Sequence, residues 1–312
     1  MGHPTTVPGG YLDDLATGRR EAIGLLECVI NLSEGRNAEL LARLRAEAGA
    51  PCVDLHSDPD HHRSVFTLVG EGPEVEAAAR SLTAAAVAEL DLGRHAGAHP
   101  RRGVVDVVPF VDLVAGPGGR VLDGTLSVAA ASRDRYARWA GGTLGLPCFL
   151  YGPRELGETT LPELRRQAWG QRMPDTGPSR PHPTAGAVCV GARKILVAYN
   201  LWLAEADLVR AREVAAEVRS PGLRTLGLQV GDRVQVSCNL IDPWSVGPAD
   251  AFDAVASRVA VSGAELVGLL PLAVLEAIPE SRWAALGIGP ASTIEARLEQ
   301  AGLDGGRSHL GS

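Results

Sequence analysis

The chain has 312 residues, of which 45% are hydrophobic, and a formal net charge of −7. That length and apolar content are enough to bury one large or two ordinary cores, which excludes a disordered chain or a disulfide-stapled miniature. The acidic balance excludes a general electrostatic pull toward nucleic acid or an anionic membrane, so an anion must be met by local groups of arginine.

The leader MGHPTTVPGGYLDDLATGRREA has no apolar core of the kind a signal peptide needs, and no window approaches the ~18 apolar residues of a membrane span. Gly2 with Thr6 fits the loose myristoylation pattern, which is short enough to arise by chance. Cys28, Cys52, Cys148, Cys189 and Cys238 are far apart and form no C-x-x-C pair. They read as buried free thiols in a reducing cytoplasm.

After the leader, LLECVINL is a short apolar run with the look of a buried strand, and SEGRNAELLARLRAEAGA follows with helical spacing. CVDLHS and RSVFTLVG read as two strands joined by the polar turn DPDHH. PEVEAAARSLTAAAVAEL is a helix with proline near its start, and GVVDVVPFVDL is another strand. Strand, helix, strand, strand, helix, strand is the split-βαβ, ferredoxin-like order.

The second half repeats it. ARKILVAYNLWL is a strand, EADLVRAREVAAEVR a helix, TLGLQV and RVQVSCNLID a strand pair around GD, ADAFDAVASRVAVSG a helix and ELVGLLPL a strand. The expected fold is therefore α+β, two tandem ferredoxin-like (βαββαβ) α/β-sandwich subdomains with a ligand groove between them. Between the repeats sit a helix near SVAAASRDRYARWAG, a strand LPCFLYG and the Pro/Gly-rich connector RMPDTGPSRPHPTAG, which marks the expected boundary. This gives an extension over 1–26, a first subdomain over 27–182 and a second over 183–312. STIEARLEQAGLD reads as one more helix, capped by Ser292 or Thr293.

Three polar segments carry chemistry. In ECVINLSEGRN, Asn31, Ser33 and Glu34 stand where a strand ends and a helix begins, a place for an anion or for plain capping. HSDPDHHRS brings together His56, Asp58, Asp60, His61 and His62, which raises a metal reading, although successive side chains of a hairpin turn point in different directions. RHAGAHPRRG holds His95, His99, Arg101 and Arg102 in a loop, since Gly97 and Pro100 oppose a helix. An imidazole there can take or give a proton near neutral pH, and guanidinium groups can grip carboxylates. Lys194 is the only lysine in the chain. Coding bias toward arginine accounts for that, as does a need for a compact titratable ammonium.

ECVINLSEGRN, RSVFTLVG, RHAGAHPRRGVVDVVPF, PDTGPS, GARKILVAYN, VQVSCNLID and ELVGLLPL, in this order, resemble the formiminotransferase domain of the formimidoyltransferase-cyclodeaminase family. The similarity runs from about Glu27 to the C-terminal helix, and its most specific part is the HxGxHPRxGxxDVxPF-like run. The resemblance implies two ferredoxin-like subdomains with folate in the groove between them. It also implies transfer of a formimino group from N-formimino-L-glutamate to N5 of tetrahydrofolate, a step of histidine degradation and one-carbon metabolism. The family's catalytic histidine would map to His99 and its folate loop to Gly177, Pro178, Ser179 and onward to Gly186. A homodimer is what the family implies for assembly, with tetrahydrofolate as co-substrate and no metal, nucleic acid or membrane as partner.

The chemistry is consistent with those residues. An amine attacks an amidinium carbon and loses a proton, and the glutamate nitrogen leaves protonated. One histidine acting as base and then acid typically contributes about 10²–10⁴-fold. His99 is the candidate, with Asp106 as its orienting partner. Arg63, Arg101, Arg102 and Lys194 are candidates for the carboxylates of glutamate and the folate tail, Asn31 for a further polar contact, and His95 for a substrate contact or a structural hydrogen bond.

Three positions depart from the family pattern. Ala98 stands where the enzymes carry an acidic residue, Ile30 where they usually carry proline, and Ala185 where the mammalian enzymes carry an aromatic that could stack on a pterin. Formimino transfer between other partners, such as onto a small-metabolite amine, is therefore the alternative. A metal-dependent hydrolase on His56, Asp58, Asp60 and His61, and a silent folate-binding module, are further alternatives from other classes. No cyclodeaminase region follows, so another protein is expected to process the product.

Overall fold

A computed structural model describes residues 24–95, 101–154 and 157–303. Its first strand, β1 (Leu25–Leu32), shows the alternation that sets the fold. Leu26, Cys28, Ile30 and Leu32 are fully buried in one core, while Glu27 and Asn31 face the other side of the sheet. Helix α1 (Ala38–Ala48) begins where the Asn37 side chain accepts from the Leu40 amide. Strands β2 (Cys52–Asp58) and β3 (Arg63–Glu71), helix α2 (Gly72–Glu89) with Pro73 in its first turn, and strand β4 (Val105–Ala115) follow.

β5 (Val121–Asp123), α3 (Ser127–Thr143), β6 (Cys148–Arg154), β7 (Gly157–Thr159), α4 (Leu161–Gln167) and β8 (Val188–Ala192) extend this unit. The sheet runs β2-β3-β1-β4-β8-β6-β7, with β5 on β4. It is mixed: β1 is antiparallel to β3 and β4, whereas β8 is parallel to both β4 and β6. The helical cover packs Leu44, Leu82 and Tyr136 against Phe66 and Phe110. A 2.6 Å hydrogen bond between Thr83 and the Tyr136 hydroxyl ties α2 to α3.

The second unit contains β9 (Val197–Leu203), α5 (Leu208–Glu217), β10 (Leu223–Val230), β11 (Arg233–Leu240), α6 (Pro248–Ala256) and β12 (Val261–Val267). These strands form an antiparallel sheet in the order β10-β11-β9-β12. Val197, Tyr199, Leu201, Val214 and Val236 fill its core. Short helices α7 (Leu272–Glu276), α8 (Glu280–Leu286) and α9 (Ile294–Gln300) close it, the last capped by Thr293 rather than Ser292. The architecture is α+β, one large mixed sheet and one antiparallel sheet, each with its own core.

β8 falls after the expected boundary at residue 182, yet it is bonded within the first sheet, and the chain changes sheet between Ala192 and Val197. ARKILVAYNLWL is accordingly split, its first residue ending β8 and its strand beginning at Val197. The Pro/Gly-rich connector marks irregular backbone, while the fully buried run Val188–Ala192 behind it still has apolar surface to pack.

The sheet faces not covered by these helices meet along a seam. One end is apolar, with Val69, Val111, Leu113 and Ile195 against Leu269, Ile294 and Leu298. There the Asp123 carboxylate accepts from the Ile195 amide at 2.6 Å and the Trp244 indole at 2.9 Å. The other end is polar. His56 lies 3.4 Å from Glu265, and the His61 ring meets the fully buried Gln235 at 3.1 Å.

Candidate functional site

The polar end is built around the turn between β2 and β3. Asp58 accepts from the amides of Asp60 and His61 at 2.8 Å each and from His61 Nδ1 at 2.5 Å. Burial pushes the Asp58 carboxyl up, but the His61 ring and these amides outweigh it and hold it down at about 2. His62 follows with a left-handed φ of 50°, its ring stacked on His95 at 4.1 Å. His61, His62 and Arg63 line a small crevice with Leu32, Ser33, Arg101 and Asp106.

The neighbouring β1–α1 junction closes one wall. Ser33 donates to the Gly103 carbonyl at 2.8 Å. Glu34 accepts from the amides of Gly35, Arg36 and Asn37, so the free N–H groups expected to hold an anion are met by the protein's own carboxylate. Burial raises Glu34, but the Arg36 and Asn37 amides, with His62 and Gly35, bring it below its ordinary value. Asn31 serves Arg63, accepting from its guanidinium while donating to the Val29 carbonyl at 3.1 Å.

Asp106 anchors the segment that enters β4. One oxygen accepts from the Arg102 amide at 2.7 Å and the other from the Arg165 guanidinium. Arg102 in turn donates to the Arg165 carbonyl. The guanidinium groups of Arg63, Arg101 and Arg165 thus all act on one carboxylate, that of Asp106. Burial pushes Arg63 down to about 10 against the pull of Asp106, and its Nε is buried without a described partner. Asp58 also acts on Arg63, so carboxylates and cations alternate here, and an anion entering the crevice meets Arg63 and Arg101.

His95 Nε2 lies 2.8 Å from the His62 carbonyl and 3.0 Å from Arg101 Nη1. A ring nitrogen serves one of these at a time, since it donates to the carbonyl as N–H and accepts from the guanidinium when bare. His99, the candidate acid/base, lies outside the described residues, as does Ala98.

The connector reaches the same region. Gly186, at φ 72°, pairs with Gly103, and a Cβ there would come within 2.4 Å of the Arg102 carbonyl. Glycine is required by this close approach and by the left-handed backbone. Gly177, Pro178 and Ser179 are exposed on the same connector, with Gly177 against Gly141 of α3. Ala185 is fully buried in the first core, so its side chain presents no surface to a ligand.

Lys194 is the expected site residue that is not brought in. It is exposed beyond β8, next to Arg193, whose amide donates to the Phe110 carbonyl at 3.0 Å. Phe110 is four positions past Asp106, roughly 13 Å along the strand. The metal reading also disperses. His56 turns to Glu265, His61 to Asp58 and His62 to His95, and among the described residues no three His, Cys, Asp or Glu converge on one point.

Sequence reasoning missed Arg165 and Gln235. Arg165 lies on α4, a helix whose LPELRRQ carries no marker of a site. Gln235 is a polar residue between Val234 and Val236 of an apolar strand, which was the signal in the sequence, and the structure buries it fully.

A family model described as the formiminotransferase domain, N-terminal subdomain, matches residues 25–193. The formimidoyltransferase-cyclodeaminase of Sus scrofa is 34% identical over 284 residues, which cover 80% of this chain and 51% of the pig protein. The glutamate formimidoyltransferase of Streptococcus pyogenes serotype M1 is 32% identical over 287 residues, 82% of this chain and 92% of that protein. That of Thermoplasma acidophilum is 29% identical over 308 residues, 89% of this chain and 99% of that protein. The chain spans about half the length of the cyclodeaminase-named relative and nearly the whole of the other two.

Proposed function

We propose a function from one premise: this chain belongs to the formiminotransferase family. It transfers a formimino group from N-formimino-L-glutamate to N5 of tetrahydrofolate, its co-substrate. The observation that carries this reading is the crevice at the polar end of the seam, where Arg63, Arg101 and two histidines surround one carboxylate whose oxygens are both engaged. An anionic donor that enters this crevice meets the Arg63 and Arg101 guanidinium groups.

In this reading His99 takes the proton lost from N5 as N5 bonds to the formimino carbon, and returns it to the glutamate nitrogen as the bond between that carbon and the glutamate nitrogen breaks. Asp106 holds Arg102 and Arg165 and so fixes the start of β4. Arg63 and Arg101 meet the donor's carboxylates. The seam forms the folate groove, supported by Gln235 Oε1 and Thr67 Oγ1, which are buried without described partners. The strand orders β2-β3-β1-β4 and β10-β11-β9-β12 support two ferredoxin-like subdomains, dividing at 193–196. No described helix is long and apolar enough to cross a membrane, and a cytoplasmic homodimer without a resident metal completes the reading.

The test is to mix the purified protein with tetrahydrofolate and N-formimino-L-glutamate and to follow glutamate and the 5-formimino product by mass spectrometry. Turnover is expected, with kcat lowered at least about a hundredfold in His99→Ala. Turnover that survives in His99→Ala would remove that histidine from the chemistry. The burial of Ala185 favours one second reading, an acceptor that needs no aromatic at that position, such as a small-metabolite amine. Failure of tetrahydrofolate to bind would favour it.

A further inference from the structure

We propose that His62 is a binding residue of this site, presenting its imidazole Nε2–H into the crevice as a fixed hydrogen-bond donor for a carboxylate of the amino-acid donor. The inference rests on the reading above and adds a residue to it.

The backbone is the first argument. His62 has a φ of 50°, a left-handed conformation that is uncommon outside glycine. Histidine, like asparagine, is among the side chains that accept this backbone, so the turn fixes where the ring starts, and its contacts decide where it points.

The ring is then held on two sides. It stacks on His95 at 4.1 Å with 28° between planes, and its Nδ1 accepts from the Gly35 amide at 3.1 Å. That amide is fixed, because Gly35 is pressed against the turn so closely that a Cβ would meet the Asp58 carbonyl at 2.2 Å and the Arg63 amide at 2.6 Å. A nitrogen that accepts cannot also carry the proton, so the ring is neutral with its proton on Nε2. The Glu34 carboxylate, 3.6 Å from Nδ1, is too far to hold a proton there and instead shares the Gly35 amide at 2.9 Å. Burial moves His62 below its ordinary value, Glu34 opposing and Arg36 and Arg101 assisting, in keeping with that neutral state.

Nε2, on the opposite edge of the ring, makes no hydrogen bond to a described residue, while the ring lines the crevice with Arg63 and Arg101. A neutral donor beside guanidinium groups finds its natural partner in an anionic oxygen. His95 serves as the plate behind the ring, which keeps Nε2 aimed.

The test compares wild type with His62→Asn and His62→Gln. Asparagine accepts the left-handed backbone but is too short to reach, whereas glutamine restores a donor at similar length. KM for N-formimino-L-glutamate is expected to rise roughly ten- to hundredfold in His62→Asn, to recover in part in His62→Gln, and to change more than KM for tetrahydrofolate. In wild type with ¹⁵N-labelled histidine, one ring is expected to carry its proton on Nε2 and to shift on saturation with L-glutamate, with the same ring signal missing from His62→Asn. A donor KM equal to wild type in His62→Asn, or a His62 ring that ignores L-glutamate, overturns the inference and leaves the transferase reading intact. Wild type that binds L-glutamate through His62 but performs no transfer sinks that reading and leaves this inference standing.

Discussion

The two hairpins that occupy equivalent places in the two sheets differ in what their turns contain. β10 and β11 are joined by Gly231 and Asp232 alone, both exposed, with Gly231 at φ 59°. That is the economical way to reverse a chain. β2 and β3 are joined by Pro59, Asp60, His61 and His62, where Asp58 takes three internal hydrogen bonds and His61 is buried. None of that is needed for reversal. The same element order therefore carries a plain turn in one unit and a charged crevice in the other.

The junctions after the first strand of each unit say the same. In the first, Ser33 and Glu34 are engaged with Gly103 and with three amides. In the second, Glu205 is exposed and Asp207 simply caps α5, accepting from the Arg210 amide at 2.8 Å.

The comparison breaks most visibly if Asp106 is replaced. Asp106→Ala removes the carboxylate that Arg165 and the Arg102 amide share, beside other positive charges, a loss of about 3–5 kcal/mol that urea denaturation would register. A loss below about 1 kcal/mol would mean that the arginines find other partners and that Asp106 is no anchor.

Acid titration of stability tests the first turn next. Asp58 lies at about 2 in the folded chain against an ordinary 3.8. Its folded value is the depressed one, so its contribution is present above about pH 4 and is lost as pH falls toward about 2. About 2 kcal/mol rides on that window. In Asp58→Asn this part of the pH dependence should vanish. A stability curve over pH 2–5 that is superimposable on wild type would refute the Asp58–His61 pairing.

The smallest effects belong to the second hairpin. Gly231→Ala strains a left-handed position and should destabilise by about 1 kcal/mol, with Asp232→Ala within about 0.5 kcal/mol of wild type. Donor KM should be unchanged in both. A donor KM that moved in either would end the contrast between the two turns.

Most of the strands and helices were legible in the sequence, because alternation and helical spacing are local. LLECVINL is β1 residue for residue, and the two βαββαβ orders could be read from apolar periodicity and turn chemistry alone. The first-half motifs were legible segment by segment, but that Ser33, His61, His62, Arg63, Arg101 and Asp106 share one crevice was not.

What the sequence could not assign was partnership. Lys194 looked chemically special, but it emerges at the wrong end of β8. Arg165 looked ordinary, yet α4 brings it to Asp106 across 59 residues of chain. His61 and Gln235 meet across 174. Charge, turn chemistry and periodicity fix which segments can form strands, helices and polar loops. Only the register of the strands and the meeting of two sheet faces decide which charged side chains share a crevice, because those contacts span sequence distances over which no local pattern carries information.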